Sequence, residues 1–145
     1  MLNTTVGNNI LNAFFGKASS TDIIPTGKSC YLGFSTTAPT VGASGDITAF
    51  TEPASSTGYK RLKAEMDNAS NCVITNGSVN LTWDAPNEGQ QFGQATHIGL
   101  FANEGTVLPI MAFELASVVT LGLKTTLILY KGKLKVTLTT SEATT

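Results

Sequence analysis

A chain of 145 residues suits one domain, and its charged fraction of 13% is about half the usual ~25%. Nine basic against ten acidic residues leave a net charge of −1 with no block of like charge, which excludes the electrostatic footprint of a nucleic-acid binder. Gly, Thr, Ser and Asn stand where ions would, and hydroxyls and amides cost less to desolvate than charges, so the surface suits packing against copies or partners.

Residues 1–15 have neither a cationic start nor a long apolar run, so no secretory signal is expected. No stretch approaches the ~18 apolar residues that would span a membrane. Residues 3–17 carry the one helical pattern. Val6, Ile10, Leu11, Phe14 and Phe15 recur at steps of three and four and make a single apolar stripe. Thr4 or Thr5 suits its start, and Gly16 with Lys17 suits its end. Its neutral, Asn-rich other face makes it weak by propensity. It needs a surface to pack on, either its own sheet or a neighbouring subunit, and Val6, Ile10 and Phe14 are the candidate contacts.

Residues 18–28 read as a loop with Pro25 and Gly27 as breakers. Residues 29–35 form a buried strand with Tyr31 and Phe34 in the core. Residues 36–57 are a long Thr/Gly/Ser/Ala loop, longer than an ordinary connection and therefore either functional or ordered by a partner. Thr36, Thr37 and Pro39 are candidate contacts on it. Gly58-Tyr59-Lys60-Arg61-Leu62 leads into the next strand, with Tyr59 in the core. Cys72-Val73-Ile74 precedes Asn76-Gly77, a two-residue hairpin-turn signal. Val79, Leu81 and Trp83 then alternate with polar residues, which predicts a half-buried strand with the tryptophan inward.

Residues 85–94 form a polar loop in which Asn87, Gln90 and Gln91 are candidate contacts. Ala95-Thr96-His97-Ile98-Gly99-Leu100-Phe101 follows as the central strand, with His97, Ile98, Leu100 and Phe101 in the core. Residues 107–115 make a further strand, with Pro109 near its start or on an edge because proline cannot donate to the ladder. Residues 118–123 are a short strand or a turn. Residues 125–130 and 133–139 are the last strands. Lys131, Lys133 and Lys135 act there as edge residues that discourage sheet-to-sheet pairing. Residues 140–145 are a loose tail. Short strands with turn signals between them predict an all-β antiparallel β-sandwich, jelly-roll-like or Ig-like, with one short N-terminal α-helix in a single domain over 1–145.

Candidate chemistry is sparse. His97 has apolar neighbours, and the nearest carboxylates in sequence, Asp84 and Glu104, sit in flanking loops. Glu52, Glu65, Asp67, Asp84, Glu88, Glu104 and Glu114 are scattered, so no glycosidase-like pair is defined. Phosphate-cradling loops, HExxH and CxxC are missing. Trp83 and Tyr59 are read as core rather than sugar-stacking residues. No enzyme activity, cofactor or metal is expected. Cys30 and Cys72 leave two readings open, a disulfide or two buried thiols, and the lack of a secretory signal favours the thiols.

Several passages carry a resemblance. Tyr31-Leu32-Gly33-Phe34 runs into Ser35-Thr36-Thr37-Ala38-Pro39-Thr40. Gly58-Tyr59-Lys60-Arg61 follows, then Ile74-Thr75-Asn76 through Trp83, then residues 95–101, and finally Gly132-Lys133-Leu134-Lys135-Val136-Thr137-Leu138. In this order they resemble a family of small tailed-phage virion proteins, described as tail-fibre-like or minor virion proteins. Phe14-Phe15-Gly16 at the end of the helix has a counterpart there too. Trp83 stands where that family has a smaller residue or Phe, and residues 118–124 lack its Lys/Asn-Gly-Asp turn.

The resemblance implies a structural component of the virion that decorates or stabilises the particle through subunit contacts, at a head, neck or tail position. The alternative is a host-surface or glycan-binding module of a tail fibre. The implied partners are other phage structural proteins (major capsid, neck or tail) and further copies in a homo-oligomer; the charge balance and the apolar run lengths separately give the expectation of no nucleic acid and no membrane. Assembly in the host cytoplasm is implied, and no catalytic residue is carried over.

Overall fold

The computed structural model describes residues 30–67, 73–77 and 79–137. The predicted helix with Val6, Ile10 and Phe14, the loop over 18–28, Cys72 and the tail over 140–145 lie outside the described residues. In chain order the strands are β1 (Cys30–Ser35), β2 (Thr40–Val41), β3 (Ile47–Ala49), β4 (Leu62–Ala64), β5 (Val73–Thr75), β6 (Leu81–Asp84), β7 (Gly93–Phe101), β8 (Met111–Leu121), β9 (Thr126–Leu129) and β10 (Lys135–Thr137). One 3-10 turn at Ser55–Thr57 is the only helical element among the described residues. Every strand pairing is antiparallel. The described fold is thus all-β.

β1 and β7 are the inner strands of a four-stranded sheet ordered β4-β1-β7-β8. They pair from Tyr31↔Phe101 to Ser35↔His97, so Leu32 and Phe34 share one face with Leu100 and Ile98. That face is the core. Leu81 and Trp83 of β6, with Leu127 and Leu129 of β9, pack against it. The β6–β9 ribbon is therefore the second layer, two strands wide. The remaining ribbons are β5–β10 and β2–β3.

Phe34 is fully buried at the centre of this core. Its ring meets Tyr59 edge-on at 5.0 Å and Trp83 edge-on at 5.8 Å, and it meets Phe92 tilted at 6.0 Å. Edge-to-face pairs of this kind add about 0.5–1.5 kcal/mol each beyond area burial. The Trp83 indole N–H donates to the Lys60 carbonyl at 3.1 Å, which satisfies its one polar atom. Tyr31 and His97 lie half-buried at the ends of the opposite face instead of in the main core.

Four local expectations are corrected. Residues 36–57 hold the β2–β3 hairpin and the 3-10 turn, and Ile47 anchors the hairpin at 1% exposure. The low hydrophobicity of that stretch conceals its few buried side chains, Ile47 with Pro53 and Thr57. Asn76-Gly77 does not turn a hairpin, because β5 pairs with β10 and β6 pairs with β9. Val79 precedes β6 and is 53% exposed, so the inward alternation begins only at Leu81. Residues 118–121 continue β8, which reaches Leu121 by bulging: residues 115–118 stand opposite Thr96 alone. The bulge returns Ala95 to the core face, where it is fully buried. Pro109 is buried just ahead of β8, where the Ile110 N–H donates to the Leu100 carbonyl at 2.7 Å.

Candidate functional site

The second face of the sheet begins with a gap in its side chains. Gly33 and Gly99 face each other across β1 and β7, and a Cβ on either would collide with the groups lying over them. The space is taken by Glu52, Tyr59 and Arg61 over Gly33, and by the Phe50 ring over Gly99. Glycine inside a strand marks such a close approach.

Arg61 fills this face. Its Nη2 donates to Glu52 Oε2 at 2.6 Å, and its Nε donates to Glu52 Oε1 and Oε2 at 3.0 and 3.1 Å. Its Nη1 donates to the Glu104 and Thr106 carbonyls at 2.8 and 2.6 Å. The guanidinium carbon stands 3.5 Å from the Phe101 ring centroid. With side chains only 11% and 18% exposed, Arg61 and Glu52 form the one ion pair among the described residues. Arginine suits the position because its planar fork pairs with a carboxylate and stacks on an aromatic face together.

Tyr59 joins the two faces. Its ring belongs to the core, while its hydroxyl donates to Glu52 Oε1 at 2.8 Å and accepts the Phe34 N–H at 2.9 Å. The β4 pairing stops at Leu32↔Leu62, so the Phe34 N–H would otherwise lack a strand partner. Burial pushes the Tyr59 phenol well above its ordinary value, and the Glu52 carboxylate beside it adds to the shift. Farther along β1, Thr51 takes over the edge. Its carbonyl accepts the Thr36 N–H at 2.7 Å and the Ser35 hydroxyl at 3.0 Å.

Beside this clamp an open pocket of about 210 Å³ is walled by Ala38, Pro39, Val41, Ile47 and Ala112, with His97 and Glu114 as its polar groups. His97 and Glu114 sit directly opposite in the β7–β8 ladder. The Thr96 hydroxyl reaches the Ser35 carbonyl at 3.1 Å and His97 Nδ1 at 3.0 Å. A hydroxyl has one proton and a carbonyl only accepts. Both contacts are made together only when Nδ1 carries the hydrogen and donates to Thr96, which in the neutral imidazole leaves Nε2 as an acceptor.

The candidate contacts gather at one end of the sheet. Thr36 is half-buried, with its methyl over Gly93 at the start of β7. Thr37 is exposed, and Pro39 borders the pocket. Asn87, Gln90 and Gln91 are exposed on the loop that enters β7, and Gln90 accepts the Ser56 hydroxyl at 2.9 Å. The structure thus brings the 36–41 and 87–91 segments to the same end. It does not join Tyr59 and Trp83 into a sugar platform, since both rings are buried on Phe34.

Asn76 is the other residue that sequence reasoning misplaced. It is 2% exposed. Its Nδ2 donates to the Tyr130 carbonyl at 3.0 Å, and its Oδ1 accepts the Leu134 N–H at 2.8 Å. Its backbone N–H donates to the Leu134 carbonyl and its carbonyl accepts the Gly132 N–H, at 3.1 and 2.9 Å. One side chain and its own backbone thus hold the β9–β10 turn. Asn-Gly reads as a turn from sequence, and only the partner strands reveal this use. Cys30 is a free buried thiol, raised in pKa by burial, and donates to the Ala64 carbonyl at 3.4 Å.

Among the described residues no group of three or more His, Cys, Asp or Glu side chains gathers to hold a metal. A family model described as podophage GP4 fiber I protein gp80 matches residues 1–137. No curated protein matches the chain.

Proposed function

Because the chain belongs to the gp80 family of podophage GP4 fiber I proteins, we propose that it is a non-enzymatic structural part of the phage fibre, held in the particle by contacts with copies of itself and with neighbouring tail or neck proteins. The observation that carries this reading is how the buried polar groups are used. Glu52, Tyr59, Arg61 and Asn76 all hold backbone or one another. A catalytic constellation instead needs a nucleophile or base aimed at a space where a substrate sits. The clamp itself leaves no such space, and the pocket beside it sets His97 and Glu114 among aliphatic side chains, with no hydroxyl or thiol nucleophile among the described residues that line it. Cryo-electron microscopy of the purified particle tests the reading. Density for this sheet in the fibre supports it, and density over the capsid lattice replaces it with a head-decoration role.

A second reading has a specific observation behind it. Thr36, Thr37, Gln90 and Gln91 share one end of the sheet, as the tip of a host-surface-binding module requires. Binding of the isolated protein to host cells or to a glycan array, lost on replacing Gln90 and Gln91 with alanine, supports it. Unaltered incorporation with no binding leaves the structural role alone.

A further inference from the structure

We propose that the pocket beside His97 receives a lysine or arginine side chain presented by a neighbouring polypeptide. The polar groups of the pocket both accept hydrogen bonds. Glu114 offers a carboxylate, and His97 offers Nε2, because Nδ1 is committed to Thr96. The rest of the lining is aliphatic, with Val41 and Ile47 from the β2–β3 hairpin and Ala112 from β8. A guest with hydrogen-bond donors at its tip and methylenes along its stem matches both parts. Lysine and arginine have that build, with apolar stems that lie on hydrophobic surface and heads that carry only donors. An acidic or carbonyl-bearing guest would set acceptor against acceptor. The volume of about 210 Å³ suits one side chain, not an extended segment. Glu114 has no ion pair among the described residues, whose single pair is Arg61–Glu52. Only the source of the guest rests on the virion reading; the pocket's preference for a cation stands on its own lining.

The test uses the full chain, in which His97 is the only histidine and so gives one set of imidazole signals. Histidine is labelled with nitrogen-15, and spectra are taken at pH 8, above the ordinary histidine range near ~6.5. An acetylated, amidated Gly-Lys-Gly peptide is titrated against the same peptide carrying norleucine. The expected result is an Nδ1–H tautomer in the free protein, a saturable shift of the Nε2 signal with the lysine peptide, and none with norleucine. Glu114→Gln should weaken the lysine response about two- to fivefold, within the range for a partly exposed charge contact, and Glu114→Lys should abolish it. Amide spectra matching the parent establish that both variants fold. A shift that also grows with the protein's own concentration identifies the neighbour as a second copy and supports the proposal. An Nε2–H tautomer, equal response to both peptides, or an undiminished response in Glu114→Gln overturns it. If the pocket stays silent while the chain still enters particles, the pocket proposal falls and the structural reading stands.

Discussion

Gly33 and Gly99 are cross-strand partners at the centre of the sheet, and the gap they leave is filled by Glu52, Tyr59, Arg61 and Phe50. A methyl group on Gly99 would come within 2.7 Å of the Phe50 ring and 2.9 Å of the Phe101 ring. Alanine in place of a strand glycine ordinarily gains about 0.5–1 kcal/mol. Here overpacking outweighs that gain, and Gly99→Ala is expected to destabilise by about 1–3 kcal/mol. Urea unfolding of the variant against the parent checks the sign.

Arg61 and Glu52 stabilise the fold as a pair, and each alone is a liability. Glu52→Gln keeps the shape but leaves the guanidinium without its counter-charge. Removing one member of a buried pair costs about 3–5 kcal/mol, and the residual exposure of 11% and 18% places this pair at the low end. Arg61→Met with Glu52→Gln should recover part of the loss, since it removes the unpaired cation. A double-mutant cycle by thermal unfolding measures the coupling. Strict additivity of the two single changes would show that the pair does not act as a unit.

The raised Tyr59 pKa sets an alkaline limit on stability. Folding favours the neutral phenol, so its contribution is complete below the unfolded value of about 10 and is lost as pH rises toward the folded value. The parent should therefore lose stability with rising pH above about 10 more steeply than Tyr59→Phe. Below that pH the Phe variant should be weaker by about 1–3 kcal/mol, because it strands the buried Phe34 N–H. Chemical denaturation at a series of pH values reads both effects.

Asn76→Ala removes two side-chain hydrogen bonds at a buried site and strands the Leu134 N–H, at an expected cost of about 2–3 kcal/mol. Asn76→Asp keeps an acceptor for Leu134 but turns a second acceptor toward the Tyr130 carbonyl. Relative to the parent, that variant should be weaker at pH 7 than at pH 4, because the buried carboxyl is charged against a carbonyl at the higher pH and can donate to it when protonated. Melting curves at the two pH values decide it.

The inner strands were legible because β1 and β7 are short apolar runs bounded by turn residues, and because Leu81 and Trp83 keep a two-residue alternation. The β2–β3 hairpin was not, since its short strands leave one buried side chain, Ile47, in a Thr- and Gly-rich stretch. Asn76-Gly77 misled because local turn chemistry was overridden by pairing with a strand some sixty residues away, at Lys135–Thr137. The clamp was half visible. Gly58-Tyr59-Lys60-Arg61 stood out as a motif, but nothing local linked Arg61 to Glu52 or to the carbonyls of Glu104 and Thr106; Gly33 and Gly99 in mid-strand are the signal from which the close approach could have been read.

The central claim is that this sheet is a fixed part of the particle, and quantitative mass spectrometry of density-banded virions tests it most directly. The account predicts a constant number of copies per particle that survives high-salt washing, alongside the other fibre proteins. A chain left in the soluble lysate, or washed off without a defined stoichiometry, would contradict it.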